Sequence, residues 1–178
     1  MTKKQKIEEL LKNKAGIRLD IGCGGNKQGQ NWVGIDYRAI PGSVDIVHDL
    51  ETFPWPLPDE CAQVAVASHV VEHINPAKGT FINFMDEVWR VLQYGGEFGI
   101  ATPYAGSHGY FQDPTHINPC NETTFAYFDP LDERTGGQLY RIYQPKPWQI
   151  KPGSLSLNKN GNLEVVLVKR RDDPSYHA

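Results

Sequence analysis

Three short apolar segments near the start of the chain are separated by stretches too short to hold helices. The segments cover residues 17–21, 32–35 and 44–47, and each ends at or close to an aspartate, Asp20, Asp36 or Asp49. Only seven residues, 25–31, separate the first two segments, and another seven, 37–43, separate the next two. A crossover between parallel strands normally takes a dozen or more residues and a helix. The pattern therefore predicts strands joined by irregular turns, with one face of the sheet thinly covered.

The next part of the chain alternates strands with one strong helix. Residues 64–67 are continuously apolar, as in a strand that is covered on both faces, and residues 98–102 predict another strand. Between them, residues 80–93 repeat apolar side chains with a period of 3.6, which predicts a helix closed by Gly95 and Gly96. Together these elements predict an α/β fold, a compact, doubly wound and mostly parallel sheet that lacks some crossover helices.

The two ends of the chain carry different patterns. Residues 1–16 place Ile7, Leu10 and Leu11 at helical spacing among charged residues and predict an amphipathic helix. Residues 104–138 show no clear period and predict a long loop region. Residues 139–150 and 163–170 predict two strands of an antiparallel hairpin, so that 139–170 closes the sheet. With residues 17–103 as the core, we expect residues 1–178 to form a single domain.

Composition narrows the classes of protein to consider. The net charge of −3 argues against a protein that coats nucleic acid, and no apolar run is long enough for a membrane span. The three cysteines form no close pair, and no apolar segment follows the lysines at the N-terminus, so we expect a cytoplasmic location. The thinly covered sheet face leads us to expect a possible homodimer.

The glycines after the first strand predict a ligand-binding turn. The sequence there is Asp20-Ile21-Gly22-Cys23-Gly24-Gly25. Glycine permits a sharp turn and a close approach of ligand to backbone, and ligands of such sheets lie beyond the carboxyl ends of the strands. Asp36 is then placed to hold a pair of ribose hydroxyls, and Asp49 with Leu50 to contact an adenine. A dinucleotide fingerprint would need glycine at position 27, where the chain has Lys27, so NAD is disfavoured.

Five groups of residues together resemble a known family. They are Leu19-Asp20-Ile21-Gly22-Cys23-Gly24, Asp36, Asp49-Leu50, Ser68-His69-Val70-Val71-Glu72-His73-Ile74, and Glu87-x-x-Arg90-Val91-Leu92-x-x-Gly95-Gly96. In this order over residues 17–103, they resemble the class I S-adenosylmethionine-dependent methyltransferases.

The resemblance implies S-adenosylmethionine as cofactor and S-adenosylhomocysteine as product. It implies that the loop of Asp20, Gly22, Cys23 and Gly24 contacts the methionine part. Asp36 would hold the ribose, with Tyr37 packing near the adenine. By the same resemblance, Asp49 and Leu50 meet the adenine, and Ser68 and His69 lie near the sulfonium.

The loop after the fifth strand supplies candidates for catalysis. It should overhang the same crevice, and it contains Asp113 and His116 at a spacing of three. A hydroxyl acceptor needs a general base, and His116 and His69 are the candidates because imidazole titrates near neutral pH. Asp113 could orient His116 or act itself. The alternative is structural, with Asp113 capping a turn and His116 bonding a backbone carbonyl.

Two further patterns suggest metal sites but are disfavoured. His69-Val70-Val71-Glu72-His73 matches the inverted zinc-protease motif, yet Pro76 leaves barely one turn of helix for it. His48, His108 and His116 share no ligand-like spacing. We therefore predict no metal site.

Methyl transfer to an oxygen or nitrogen acceptor is the favoured function. The acceptor could be a small molecule, a sugar or a peptide side chain, whereas nucleic acid is less expected. The alternative is a non-catalytic binding or accessory module with the same fold. A nucleotide-dependent oxidoreductase and a zinc hydrolase are the weaker possibilities.

Overall fold

One eight-stranded sheet organises the molecule. The structure is a computed structural model that describes residues 8, 9, 12 and 16–177. Its strands are β1 (Ile17–Ile21), β2 (Val33–Asp36), β3 (Ile46–Val47), β4 (Ala62–Ser68), β5 (Leu92–Pro103), β6 (Trp148–Ile150), β7 (Ser156–Leu157) and β8 (Asn162–Lys169). The sheet order is β3-β2-β1-β4-β5-β8-β6, and β7 pairs with β8 away from this path. All pairings among β1 to β5 are parallel, and β8 is antiparallel to both β5 and β6. This topology confirms the predicted α/β fold with an antiparallel C-terminal hairpin.

The hydrophobic core lies on one face of the sheet. Leu19, Ala65, Phe98 and Leu167 stand side by side on β1, β4, β5 and β8, and all four are fully buried. Helix α1 (Thr80–Val91) covers this face with Phe84, whose ring lies 6.5 Å from that of Phe98. The buried side chains of α1 recur at the predicted helical spacing, because only one stripe of the helix faces the sheet.

The junction of α1 and β5 corrects one detail of the prediction. The helix ends at Val91, and β5 begins at the next residue instead of at residue 98. Gly95, with φ of 74°, and Gly96 lie within β5, where its pairing with β4 shifts register between Ala62 and Val64. The glycines therefore form an irregularity inside the strand and do not close the helix, because the chain is already extended at Leu92.

The opposite face of the sheet has little helical cover among the described residues. Residues 22–32 and 37–45 contain no helix, as their length predicts. Val66, Gly99 and Val166 stand side by side on this face and are half-buried. The homodimer expected from this face stays a prediction, which light scattering of the purified protein would test. The predicted helix at 1–16, including Ile7, Leu10 and Leu11, lies largely outside the described residues.

The C-terminal part differs from the prediction in its first half. Residues 139–147 do not form a strand: helix α3 (Tyr140–Tyr143) occupies them, and only Trp148–Ile150 is extended. Tyr140 is buried and its hydroxyl donates to the Pro145 carbonyl at 2.8 Å, which fixes the end of this helix. The region 104–138, predicted as a long loop, contains helix α2 (His108–Phe111) and a 3-10 helix at Thr124–Phe128. Among the described residues, no helix has the length and apolar character needed to cross a membrane.

Candidate functional site

A cavity opens at the carboxyl ends of the strands where the order of the sheet reverses. Strand β1 pairs with β2 on one side and with β4 on the other, so the loops after β1 and β4 diverge. The cavity has a volume of about 440 Å³. It is lined by six of the predicted cofactor-binding residues, Gly22, Asp36, Tyr37, Asp49, Leu50 and His69. The other lining residues are Arg38, Glu51, Val70, His73, Ile74 and Thr115.

The glycine turn after β1 brings the backbone close to its neighbours. Gly22 has φ of 66° and its amide donates to the Ile35 carbonyl at 2.8 Å. A Cβ atom at this position would lie 2.5 Å from Cγ2 of Val70. Both the backbone angle and the space therefore require glycine here, as the sequence pattern indicates.

Asp36 lies at the centre of the polar contacts in the cavity. Its buried carboxylate accepts hydrogen bonds from the amides of Gly24 and Arg38, each at 2.9 Å. The Arg38 side chain adds a contact from Nε at 3.2 Å and packs its guanidinium over the Tyr37 ring. Burial favours the neutral acid, but the bonds from Arg38 and Gly24 outweigh it and lower the pKa of Asp36. Asp36 is therefore a carboxylate that accepts hydrogen bonds at neutral pH.

Four predicted cofactor residues do not line the cavity. Asp20 is buried and accepts from the Gln28 amide at 2.8 Å, so it orders the loop after β1; burial raises its pKa. The Cys23 thiol is buried beside the Ser43 carbonyl, and Gly24 touches the site through Asp36. Ser68 is exposed on the opposite face of the sheet, because it follows Ala67 on a strand whose side chains alternate.

The segment after β3 contributes the apolar Leu50 and the polar Asp49 to the cavity lining. Leu50 is buried, and its carbonyl accepts from Nε1 of Trp55 at 3.1 Å, which fixes it in place. Asp49 is exposed and bonds within its own turn to the Glu51 amide at 3.0 Å and the Thr52 hydroxyl. The pair thus presents an apolar side chain and a carboxylate to the same cavity.

His69 enters the cavity from the end of β4. Its φ of 56° is unusual for a residue with a side chain and turns the ring away from the strand direction. Nδ1 lies 3.2 Å from Oε1 of the buried Glu72, and Nε2 lies 3.2 Å from Nδ2 of Asn162. The Glu72 carboxylate raises the pKa of His69. The motif is not an α-helix: Val71–His73 is a single 3-10 turn that excludes His69, so the inverted zinc-protease geometry is not formed.

The loop after β5 reaches the cavity through Thr115 and not through the two predicted catalytic side chains. Asp113 accepts from the amide and hydroxyl of Thr115 at 2.8 and 2.7 Å, and these bonds lower the pKa of Asp113. His116 is nearly buried, with Nδ1 2.8 Å from the Tyr110 carbonyl and Nε2 3.8 Å from Asp113. Neither Asp113 nor His116 lines the cavity, whereas His73 does.

Six lining residues were not predicted, and three of the polar ones among them are Arg38, His73 and Thr115. His73 follows His69 by four positions, and Thr115 lies between Asp113 and His116, so proximity to other candidate side chains was the available signal. Arg38 had only its position, two residues after the aspartate that its side chain contacts.

Comparisons with known proteins identify solved structures with the same fold. No protein-family model matches the sequence, and no curated protein matches it either. Solved structures do match over nearly the whole chain. A SAM-dependent methyltransferase from Archaeoglobus fulgidus is 20% identical, with a TM-score of 0.58 and coverage of 93% of this chain and 92% of the other.

Two further structures extend this likeness. A 16S rRNA adenine methyltransferase from Catenulisporales acidiphilia, solved with SAM, is 12% identical with a TM-score of 0.60; 97% of this chain and 93% of that chain are covered. A SAM-dependent methyltransferase from Methanosarcina mazei is 14% identical with a TM-score of 0.53, over 87% and 92% of the two chains. The chain therefore has the fold of the class I S-adenosylmethionine-dependent methyltransferases.

Proposed function

We propose that the cavity binds S-adenosylmethionine and that the protein transfers its methyl group to an oxygen or nitrogen acceptor. The observation that carries the proposal is the buried Asp36 carboxylate, which faces the same cavity as the Gly22 turn and the buried Leu50. A volume of about 440 Å³ lies in the range of small-molecule sites. When bound, the cofactor supplies an electrophilic methyl group on a sulfonium.

The donors and acceptors present fit this ligand. A carboxylate that accepts two bonds suits a pair of ribose hydroxyls, and Leu50 with the Tyr37 ring suits a purine. In the structure the Arg38 side chain donates to the Asp36 carboxylate. We propose that the Arg38 side chain moves aside when the ribose hydroxyls bind to Asp36. The 16S rRNA methyltransferase of the same fold was solved with SAM as its cosubstrate, which supports the same ligand here.

The nucleotide-dependent oxidoreductase has less support. Lys27 pairs with Asp45 at 2.7 Å, and residues 22–32 contain no helix whose N-terminus could meet a pyrophosphate. The inverted zinc-protease motif gives no support to a zinc hydrolase, because His69 and His73 do not share a helix.

His69 is the proposed acceptor of the proton that a hydroxyl acceptor releases. Among the three predicted catalytic side chains it alone lines the cavity, and Glu72 lies at its other ring nitrogen. We propose that Asp113 and His116 act as positioning residues, since their contacts hold the loop that carries Thr115.

The acceptor class stays open to test. A small molecule, a sugar or a peptide side chain is compatible with a cavity of about 440 Å³. The expectation that nucleic acid is unlikely has no support, because the fold is shared with a 16S rRNA methyltransferase. A panel that includes RNA is therefore the appropriate acceptor screen.

Calorimetric titration with S-adenosylmethionine, S-adenosylhomocysteine and NAD tests the proposal. We expect both sulfur ligands to bind and NAD not to. Asp36→Asn should weaken binding at least tenfold, since a hydrogen bond to a charged group contributes about 1.5–3 kcal/mol. Glu133→Gln, a change at an exposed residue that does not line the cavity, is the matched control. Equal binding by Asp36→Asn and the control would refute the site.

One observation favours the alternative of a non-catalytic module. Arg38 already satisfies Asp36, which closes the polar part of the cavity without a ligand. If neither sulfur ligand binds, even to Arg38→Ala, the accessory module becomes the better description.

A further inference from the structure

Two imidazoles and a carboxylate meet beside the cavity. Glu72, His73 and His116 each offer one ligand atom, and the three atoms lie within 4.8 Å of one another. Within residues 16–177 and the few described before them, no other group of three metal-ligating side chains lies this close. The set joins the turn after β4 to the loop after β5, which sequence spacing alone does not connect.

The carboxylate of Glu72 lacks full compensation for its burial. Its side chain has no exposed surface. Oε2 accepts from the Thr102 hydroxyl at 3.0 Å, but Oε1 has no hydrogen-bond partner among the described residues. Nδ1 of His69 lies 3.2 Å from Oε1 as an ion-pair contact from a half-exposed ring. A buried carboxylate is costly, and a cation bound at Oε1 would add to the contact from His69 in offsetting that cost.

Both histidines hold Nδ1 in a hydrogen bond, and Nε2 of His116 faces Asp113 at 3.8 Å without a hydrogen bond. Nδ1 of His116 lies 2.8 Å from the Tyr110 carbonyl, and Nδ1 of His73 lies 3.3 Å from the Thr115 carbonyl. A carbonyl only accepts, so Nδ1 carries a proton in both rings, and it is Nε2 that has the lone pair in the neutral imidazole. The Thr115 hydroxyl donates to Asp113 and so also accepts from His73. Histidines that ligate metals are oriented by this kind of bond at the second nitrogen.

We propose that Glu72, His73 and His116 form a binding site for a divalent transition-metal cation of the zinc type. Two imidazoles and one carboxylate are a donor set that such cations prefer, and the set leaves a fourth position for water. Ligand atoms on tetrahedral zinc lie about 3.4 Å apart, so the side chains must close by up to about 1.4 Å. The exposed His73 lines the cavity and gives the ion a route of entry.

Metal binding without any cofactor tests the site independently of methyl transfer. The untagged chain is stripped with a chelator and then titrated with Zn²⁺ against a chromophoric competitor, and Co²⁺ absorption reports the ligand set. We expect one ion per chain. His73→Ala and His116→Ala should each weaken Zn²⁺ binding at least a hundredfold and alter the Co²⁺ spectrum.

Three more variants make the result specific. His108→Ala changes an exposed histidine of the same loop that lies outside the cluster, and it should bind Zn²⁺ like the unmodified chain. Thr115→Val removes one hydroxyl contact of His73 and should weaken binding about tenfold. Glu72→Gln should abolish it. Because Glu72 is buried, circular dichroism must show that the Glu72→Gln variant is folded. His73 is exposed, so His73→Ala is the decisive variant. A chain that binds no Zn²⁺, or that binds it equally without His73 and His116, would overturn the proposal.

Discussion

Replacing Gly22 by alanine should destabilise the fold more than the same change at Gly42. Both glycines have a positive φ, but only Gly42 has space for a Cβ atom. Gly22 has φ of 66° and Gly42 has φ of 81°, so both are in the left-handed region. An added Cβ at Gly42 would meet nothing within 4 Å, whereas at Gly22 it would lie 2.5 Å from Cγ2 of Val70. The pair therefore separates backbone strain from steric overlap.

The magnitude follows from the two contributions. Left-handed alanine costs about 1–2 kcal/mol, which is the whole effect expected at Gly42. Overpacking against the buried, β-branched Val70 adds about 1–3 kcal/mol at Gly22. At roughly 2–4 °C per kcal/mol for a domain of this length, Gly42→Ala should lower the Tm by about 2–8 °C and Gly22→Ala by about 4–20 °C.

Thermal and urea unfolding of the two variants, followed by circular dichroism, provide the assay. The double variant Gly22→Ala with Val70→Ala removes both methyl groups that the new Cβ meets. It should be less destabilised than the sum of the single changes, by about 1–3 kcal/mol. Equal losses for Gly22→Ala and Gly42→Ala, or strict additivity with Val70→Ala, would refute the argument that space as well as φ selects glycine at this turn.

Two predictions concern ionisation. The pKa of Asp36 is lowered in the folded state, so its charge stabilises the fold above the ordinary value of 3.8 and this contribution is lost as pH falls through the lowered pKa. The free energy of unfolding of Asp36→Asn should therefore fall less steeply with decreasing pH below 3.8 than that of the unmodified chain. Equal pH dependence of the two chains in this range would contradict the prediction. Burial raises the pKa of Cys61 to about 11 and of Cys120 to about 12, and also raises that of Cys23. Thiol labelling at pH 8 should be about a hundredfold slower in the folded chain than in urea, and rapid labelling of all three cysteines would show that they are accessible.

Local sequence patterns correctly predicted the elements whose apolar side chains are buried at regular spacing. Helix α1 matches its predicted start at Thr80, since its apolar stripe has one face to bury. Strand β1 matches from Ile17 to Ile21 for the same reason. The prediction for 139–147 was wrong because strand periodicity does not encode local contacts such as the hydrogen bond from the buried Tyr140 hydroxyl to the Pro145 carbonyl.

The site divides in a similar way. Gly22, Asp36 and Leu50 could be predicted because each lies at or shortly after the end of a strand, and strand ends converge at one edge of a sheet. Arg38 could not, since its position depends on which of several side-chain conformations satisfies Asp36. The meeting of His73 with His116 depends on how the loop after β5 folds back, and no local period reports that path.

The shortness of β3 has a consequence for how the molecule opens. This edge strand has two residues and pairs with β2 alone, while β5 is held between β4 and β8 and continues directly from α1. Amide protons near β3 should exchange with solvent through local fluctuations that leave the centre of the sheet intact. Asp49 and Leu50 follow β3 closely. We therefore expect the cavity wall at Asp49 and Leu50 to open in local fluctuations that leave the core folded.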